Sequence, residues 1–290
     1  MMRKMVLAVL LFATILSLTA CSGKSTSDTG AESKAEAQTA TKQDAETKEE
    51  SAGNESPYFT FLGDGTTISG LTEEGEKQTS LEIPEQTESL MGLVIADSAA
   101  EKVTFASDRD IDLESAFAEA PQLKEVQLPK HLSRITSMAF SGCTGLKSIT
   151  VPADVTKIEE YAFDGCSSLK EIKFDGDSCE TIEEYAFDMC GFEEIALPEG
   201  LRTIEDKAFF DCEELVKITF PGTLESIGSF AFNGGAVEEI HFAEETEDIK
   251  IASGAFGSGA SKITVYITEG SWMDENRDAW NIGFANIVYE

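Results

Sequence analysis

The chain has 290 residues, and its 54 Asp and Glu against 22 Lys and Arg leave a formal net charge of −32. Six of the bases and eight of the acids fall within the first 56 residues, so the remainder carries −30. Without a basic footprint, nucleic-acid binding and docking of the folded part on anionic lipid are disfavoured, whereas a basic partner surface would be attracted; solubility alone is the plainer use of the same charge.

The N-terminus opens with Met1-Met2-Arg3-Lys4 and continues through the mostly apolar Met5–Ala20. That stretch is too short for a comfortable bilayer span and has the length of a signal h-region. Leu18-Thr19-Ala20-Cys21 resembles the bacterial lipobox, in which the cysteine is lipidated and becomes the new N-terminus. Residues 1–20 therefore read as a lipoprotein signal peptide and Cys21 as the lipidation site. Two or more acyl chains would anchor the protein stably to the membrane. A plain secretory signal or an uncleaved anchor is the alternative. Residues 21–56 contain no aromatic residue and are rich in Ser, Thr, Ala, Glu, Gln and Lys. Such a segment cannot bury enough apolar area to order itself and is expected to be a tether, with a root-mean-square span of roughly 30–35 Å.

Residues 57–102 are expected to form an irregular N-terminal cap. Gly63-Asp-Gly65 reads as a hairpin turn between Phe59-Thr-Phe61 and Thr66-Thr-Ile68. Leu81-Glu-Ile83-Pro84 and Leu93-Val-Ile95 look like further strand pieces.

From 103 to 267 the sequence repeats itself. An Ala-Phe pair ends at Phe117, Phe140, Phe163, Phe187, Phe209, Phe232 and Phe256, in steps of 22 to 24 residues. Isoleucine precedes six of these by five residues, at Ile135, Ile158, Ile182, Ile204, Ile227 and Ile251. An alternating apolar pair recurs as Val126/Leu128, Ile149/Val151, Ile172/Phe174, Ile195/Leu197, Ile218/Phe220 and Ile240/Phe242, with Pro129, Pro152, Pro198 or Pro221 following in four copies. Alternation marks a strand with one buried face, and proline ends it because it donates no N–H. A fixed period of this size signals stacked units, each too small to bury its own apolar side. Residues 268–290 should form the C-terminal cap. They offer a short helix over 271–281 with Ser271 as N-cap, Trp272 and Trp280 closing the last repeat, and a final strand at Ile287 and Tyr289.

The segment Ile158-Glu-Glu-Tyr-Ala-Phe163-Asp-Gly-Cys166-Ser-Ser-Leu169-Lys-Glu-Ile172 resembles the leucine-rich repeats of the BspA-like bacterial surface proteins. The resemblance implies a mostly β leucine-rich-repeat solenoid of short parallel strands. It also implies a secreted or surface-exposed protein, in some members attached to host matrix proteins.

Chemistry-bearing residues are sparse within this frame. Cys143, Cys166, Cys190 and Cys212 share one repeat position, and Cys179 falls where other copies have Val155, Leu201 and Leu224. All five occupy apolar slots, so they read as small buried hydrophobes. There is no C-x-x-C pair to suggest zinc. His131 lies in a loop after Pro129, and His241 should point outward from a strand, too far away to pair with it. No hydrolase, zincin or dinucleotide motif occurs, so no catalytic residue, cofactor or metal is assigned and an enzyme is not expected. Glu159-Glu160, Glu183-Glu184 and Glu205-Asp206 would stack into a column of like charges. That column reads either as a solvated ridge or as oxygen ligands for calcium.

If the long strands present the binding face, its outward residues are Glu125, Gln127, Ser148, Thr150, Glu171, Lys173, Glu194, Ala196, Lys217, Thr219, Glu239 and His241. This row is mixed and poor in aromatic residues, so no hot spot stands out. The expected function is that of a lipid-anchored, outward-facing bacterial envelope protein. Its monomeric repeat domain would bind protein or glycan, with adhesion as the leading use. An envelope scaffold without a host ligand, or a solute-binding lipoprotein, are the alternatives.

Overall fold

The computed structural model describes residues 56–280, 283–284 and 286–290. The signal peptide, Cys21 and nearly all of the tether lie outside the described residues. The described residues belong to one unit, Glu50–Glu290.

This unit is a mostly β solenoid of about ten turns with about 23 residues per turn. Most turns contribute one strand of three or four residues and one of two, while Glu125–Val126 is itself only two residues long. The longer ones run from Ser80–Ile83 and Lys102–Phe105 through Ser148–Val151, Glu171–Phe174, Lys217–Phe220 and Glu239–Phe242 to Thr264–Ile267. They pair in parallel with like residues opposite, for example Ile149 with Ile172, and Ile218 with Ile240. The short strands form a continuous six-stranded sheet from Arg134–Ile135 to Lys250–Ile251, in which each repeat isoleucine faces the next. A third ladder runs through the Ala-Phe turns without being a strand. There the amide of each core Phe from Phe117 to Phe232 donates to the Ala carbonyl of the following turn, at 2.8 Å from Phe140 to Ala162 and from Phe163 to Ala186.

The sequence period thus becomes vertical rows. The seven Phe rings from Phe117 to Phe256 stack face to face with centroids 5.0–5.3 Å apart, close to the spacing of neighbouring strands. All seven are buried. The cysteine row lies beside them, and each thiol donates to the carbonyl of the core Phe one turn back: Cys143 to Phe117, Cys166 to Phe140, Cys190 to Phe163 and Cys212 to Phe187, at 3.0–3.2 Å. All five repeat cysteines are free and buried.

The hairpin expected at the start is present, Phe59–Phe61 against Thr67–Leu71, and Ser80–Ile83 is a strand in register with Lys102–Phe105. Leu93-Val-Ile95 is not a strand. Leu93 is left-handed at φ 64°, and Val94 donates to Ala116, so these residues form an Ala-Phe-type turn with Val94 and Ile95 in the Ala-Phe places. At the other end the expected helix is two four-residue pieces, Trp272–Glu275 and Arg277–Trp280, broken at Asn276, with Ser271 capping the first by accepting from the Asp274 amide. Trp280 is buried against Phe242 and Phe284, and Asn286–Tyr289 adds the last parallel strand. Among the described residues no helix is long and apolar enough to cross a membrane.

Candidate binding surface

The register of the long strands sets parts of the expected face side by side, and among the described residues no strand pairing joins Glu125–Val126 to Ser148–Val151 or Glu171–Phe174 to Glu194–Ala196. Ser148 and Thr150 stand beside Glu171 and Lys173; Glu194 and Ala196 beside Lys217 and Thr219; and these beside Glu239 and His241. Glu125 and Gln127 are exposed one strand earlier. Much of the charge on this face is answered within it. Lys102 reaches Glu125 at 2.6 Å, Lys173 reaches Glu171 at 3.0 Å, and Lys217 sits in register between Glu194 and Glu239. His241 leaves the strand outward, as expected, yet it is mostly covered. Its ring stacks on Tyr266 at 4.3 Å and its Nδ1 lies 2.8 Å from Glu290. His131 pairs separately with Asp154.

The acidic column is not a bare ridge. Glu159 accepts from the Ser137 amide at 3.0 Å, Glu183 accepts from the Glu160 amide at 3.1 Å and from Lys157 Nζ at 2.7 Å, and Asp206 accepts from the Ser229 amide at 2.6 Å. Carboxylates of both columns, inner Glu159 and Glu183 and outer Asp206, therefore cap turn amides of neighbouring repeats, which offsets the like-charge repulsion. The bond to Glu183, and then the carboxylates around it, hold the Lys157 ammonium above its ordinary range. Burial, and then the charge of Glu183, push the Glu205 carboxyl up. Among the described residues no three His, Cys, Asp or Glu side chains are grouped as ligands for a metal ion.

A second surface carries no motif in the sequence. The residue two before each core Phe is left-handed in every repeat: Ser115, Met138, Tyr161, Tyr185, Lys207 and Phe230 have φ between 53° and 58°, and Gly254 follows at 77°. Because the next two residues enter the core, this one projects outward. The row is rich in large apolar groups. Met138 and Phe230 are 38% and 44% exposed, and Tyr161 stacks on Tyr185 at 5.0 Å. Lys207 Nζ lies 4.6 Å from the Tyr185 ring centre and 2.6 Å from its hydroxyl. Carboxylates flank the row on the preceding residue: Glu160, Glu184 and Asp206. Further along the stack Gly228 and Ala252 replace the inner acids, and an open groove of about 470 Å³ forms beside Glu184, Glu205, Asp206 and Lys250. The signal was present in the repeat, since Ser, Met, Tyr, Tyr, Lys, Phe, Gly stand at one fixed offset from the core Phe. Nothing in those residue types announces a left-handed backbone.

Comparison with known proteins adds a family. A family model described as BspA type Leucine rich repeat region matches in six copies, over residues 74–170, 109–191 and 180–270. Among solved structures the chain is similar to a leucine-rich repeat protein from Bacteroides ovatus, with 22% identity, 73% of this chain and 64% of that one covered, and a TM-score of 0.48. It is also similar to the pneumococcal vaccine antigen PcpA (19% identity, 73% and 67% covered, TM-score 0.47) and to a leucine rich repeat protein of T. pallidum (18%, 73% and 83%, 0.36). The chain thus spans just under two thirds of the Bacteroides ovatus protein. No curated protein matches.

Proposed function

The chain belongs to the BspA-type leucine-rich repeat family, and from that membership we propose that it is a surface-anchored bacterial lipoprotein whose repeats bind a macromolecule, protein or glycan, in adhesion to host or matrix. In this reading residues 1–20 direct export, lipidated Cys21 holds the chain to the membrane, and 21–56 tether a monomeric domain facing outward. Residues 57–102 and 268–290 close the two ends of the repeats at 103–267. One observation carries the reading. In-register stacking sets Ser148 beside Glu171, and Glu194, Lys217 and Glu239 in one row, along the stack, and repeat proteins use such extended surfaces for recognition.

Two experiments test it. Labelled palmitate should enter the wild-type chain in a bacterial host and be lost in Cys21→Ala. The purified chain should bind immobilised matrix proteins or host-cell surfaces saturably at physiological salt, and a variant with the charges of Glu171, Glu194, Lys217 and Glu239 exchanged should bind more weakly. An absence of saturable binding across the panel would overturn the adhesion reading.

A further inference from the structure

We propose that the left-handed edge of the solenoid is a docking surface for an extended polypeptide rich in lysine or arginine. Glu160, Glu184 and Asp206 would take its cations, and Met138, Tyr161 and Phe230 its aliphatic stems. This rests on the binding-scaffold reading and moves the contact to a different face from the long strands.

Three observations converge on this edge. The first is that the backbone disfavours bulky side chains there. A left-handed φ is unfavourable for large residues and free of strain only for glycine, and Gly254 does occupy the same place one turn after Phe230. The core does not ask for them either, because the side chains point away from the Phe ladder. Met138 and Phe230 nevertheless stand exposed to solvent. Exposed apolar groups rimmed by polar ones mark interaction sites.

The second observation is that the edge already holds a primary ammonium. Lys207 Nζ lies over Tyr185, bonds its hydroxyl at 2.6 Å and approaches Glu184 at 3.7 Å. A cation over an aromatic face beside a carboxylate is the arrangement a basic partner would extend. Long basic side chains also lay their methylenes on apolar surface while keeping the charge in water.

The third is charge. The 57–290 segment carries −30, which would draw a cationic chain in and repel an acidic one. A glycan fits less well, since sugars stack on open ring faces, and Tyr161 and Tyr185 cover one another at 5.0 Å with 9° between their planes. Four steps of strand spacing separate Met138 from Phe230, a span of roughly 20 Å that about six residues of extended chain would cover.

The test uses the full chain and a fluorescent octapeptide of alternating lysine and alanine, read by anisotropy at physiological salt. A glutamate–alanine peptide and a neutral oligosaccharide serve as competing probes. Saturable binding of the lysine peptide alone is expected. It should weaken by about tenfold in Glu160→Gln/Glu184→Gln and in Phe230→Ala, and stay unchanged in Glu244→Gln/Glu245→Gln, an exposed turn on neither surface. Thermal melting checks that each variant remains folded, and the glutamine pair decides the matter should Phe230→Ala fail to fold. Unchanged affinity in both edge variants, absence of lysine-peptide binding, or equal binding of either competing probe would overturn the proposal. If the chain holds matrix proteins through the long-strand charges and ignores the lysine peptide, the edge proposal fails and the adhesion reading stands. If it holds neither, both fail.

Discussion

Asp188 is a buried carboxyl whose Oδ1 has no hydrogen-bond partner. Burial first, and then the neighbouring charges of Asp164 and Asp211, push it from an ordinary 3.8 up to about 6. Because the folded value is the higher one, its protonation favours the folded chain. The contribution is full below about pH 4 and is lost as pH rises through about 6. Burial raises Asp164 as well, so it acts with the same sign. Asp188→Asn should therefore raise stability at pH 7.5 by about 1–2 kcal/mol and flatten the rise in stability that the wild type shows on acidification from pH 7 to 5. Urea titrations at several pH values measure this, and an unaltered pH slope in the variant would refute it. The cysteine row gives a second prediction at this scale. Burial lifts Cys143 and Cys212 to about 12 and holds Cys166 and Cys190 well above the usual thiol range. Since the thiolate is the reactive form, alkylation followed by mass spectrometry should find the five repeat cysteines unmodified in the native chain and fully modified in denaturant.

The ladder converts such single residues into elements. Phe163 lies between Phe140 and Phe187 at 5.1 Å on both sides, so removing its ring leaves a void with rigid walls above and below. Phe163→Ala should cost on the order of 3–5 kcal/mol, read from denaturant unfolding. The left-handed row behaves differently, because its side chains face water. Met138→Gly relieves an unfavourable φ while adding unfolded-state entropy, so it should lie between neutral and about 1 kcal/mol stabilising, whereas Met138→Val should destabilise by about 1–2 kcal/mol. A large loss in the glycine variant would mean that Met138 supports the fold. These contrasts explain what the sequence disclosed. Phe, Ile and the alternating pairs recur at a fixed offset and are apolar, so both their period and their burial were legible. Backbone conformation is not written in residue type when Met, Tyr, Lys and Phe all adopt it, so the aromatic edge stayed hidden. The acidic pairs were visible as a column, yet their role as caps on turn amides depends on which neighbouring N–H groups lack a strand partner. Leu93-Val-Ile95 shows the converse error: an apolar triplet has the look of a strand, but the stacking turns above it set its backbone.

At the scale of the whole solenoid, charge opposes what the ladders build. The described ion pairs mostly link consecutive turns at the surface, such as Lys124 with Glu101, Lys130 with Asp108 and Lys170 with Glu193. Exposed pairs of this kind contribute less than about 1 kcal/mol each, and they use few of the 46 acids that follow residue 56. The excess carboxylates interact beyond nearest neighbours, since a Debye length of about 10 Å at 0.1 M salt spans roughly two strand spacings. Unfolding lets these charges separate, so repulsion destabilises the stacked state more than the unfolded one. Sodium chloride should therefore raise the melting temperature by several degrees between low and physiological ionic strength, by screening more repulsion than attraction. A melting temperature that fell with salt would show instead that the inter-turn pairs outweigh the net charge. The same opposition links stability to the proposed function. A cationic partner laid along the acidic edge would neutralise charges on several turns at once, so it should stabilise the stack in proportion to its own charge. The rise in melting temperature on adding the lysine–alanine peptide should accordingly shrink as sodium chloride is added.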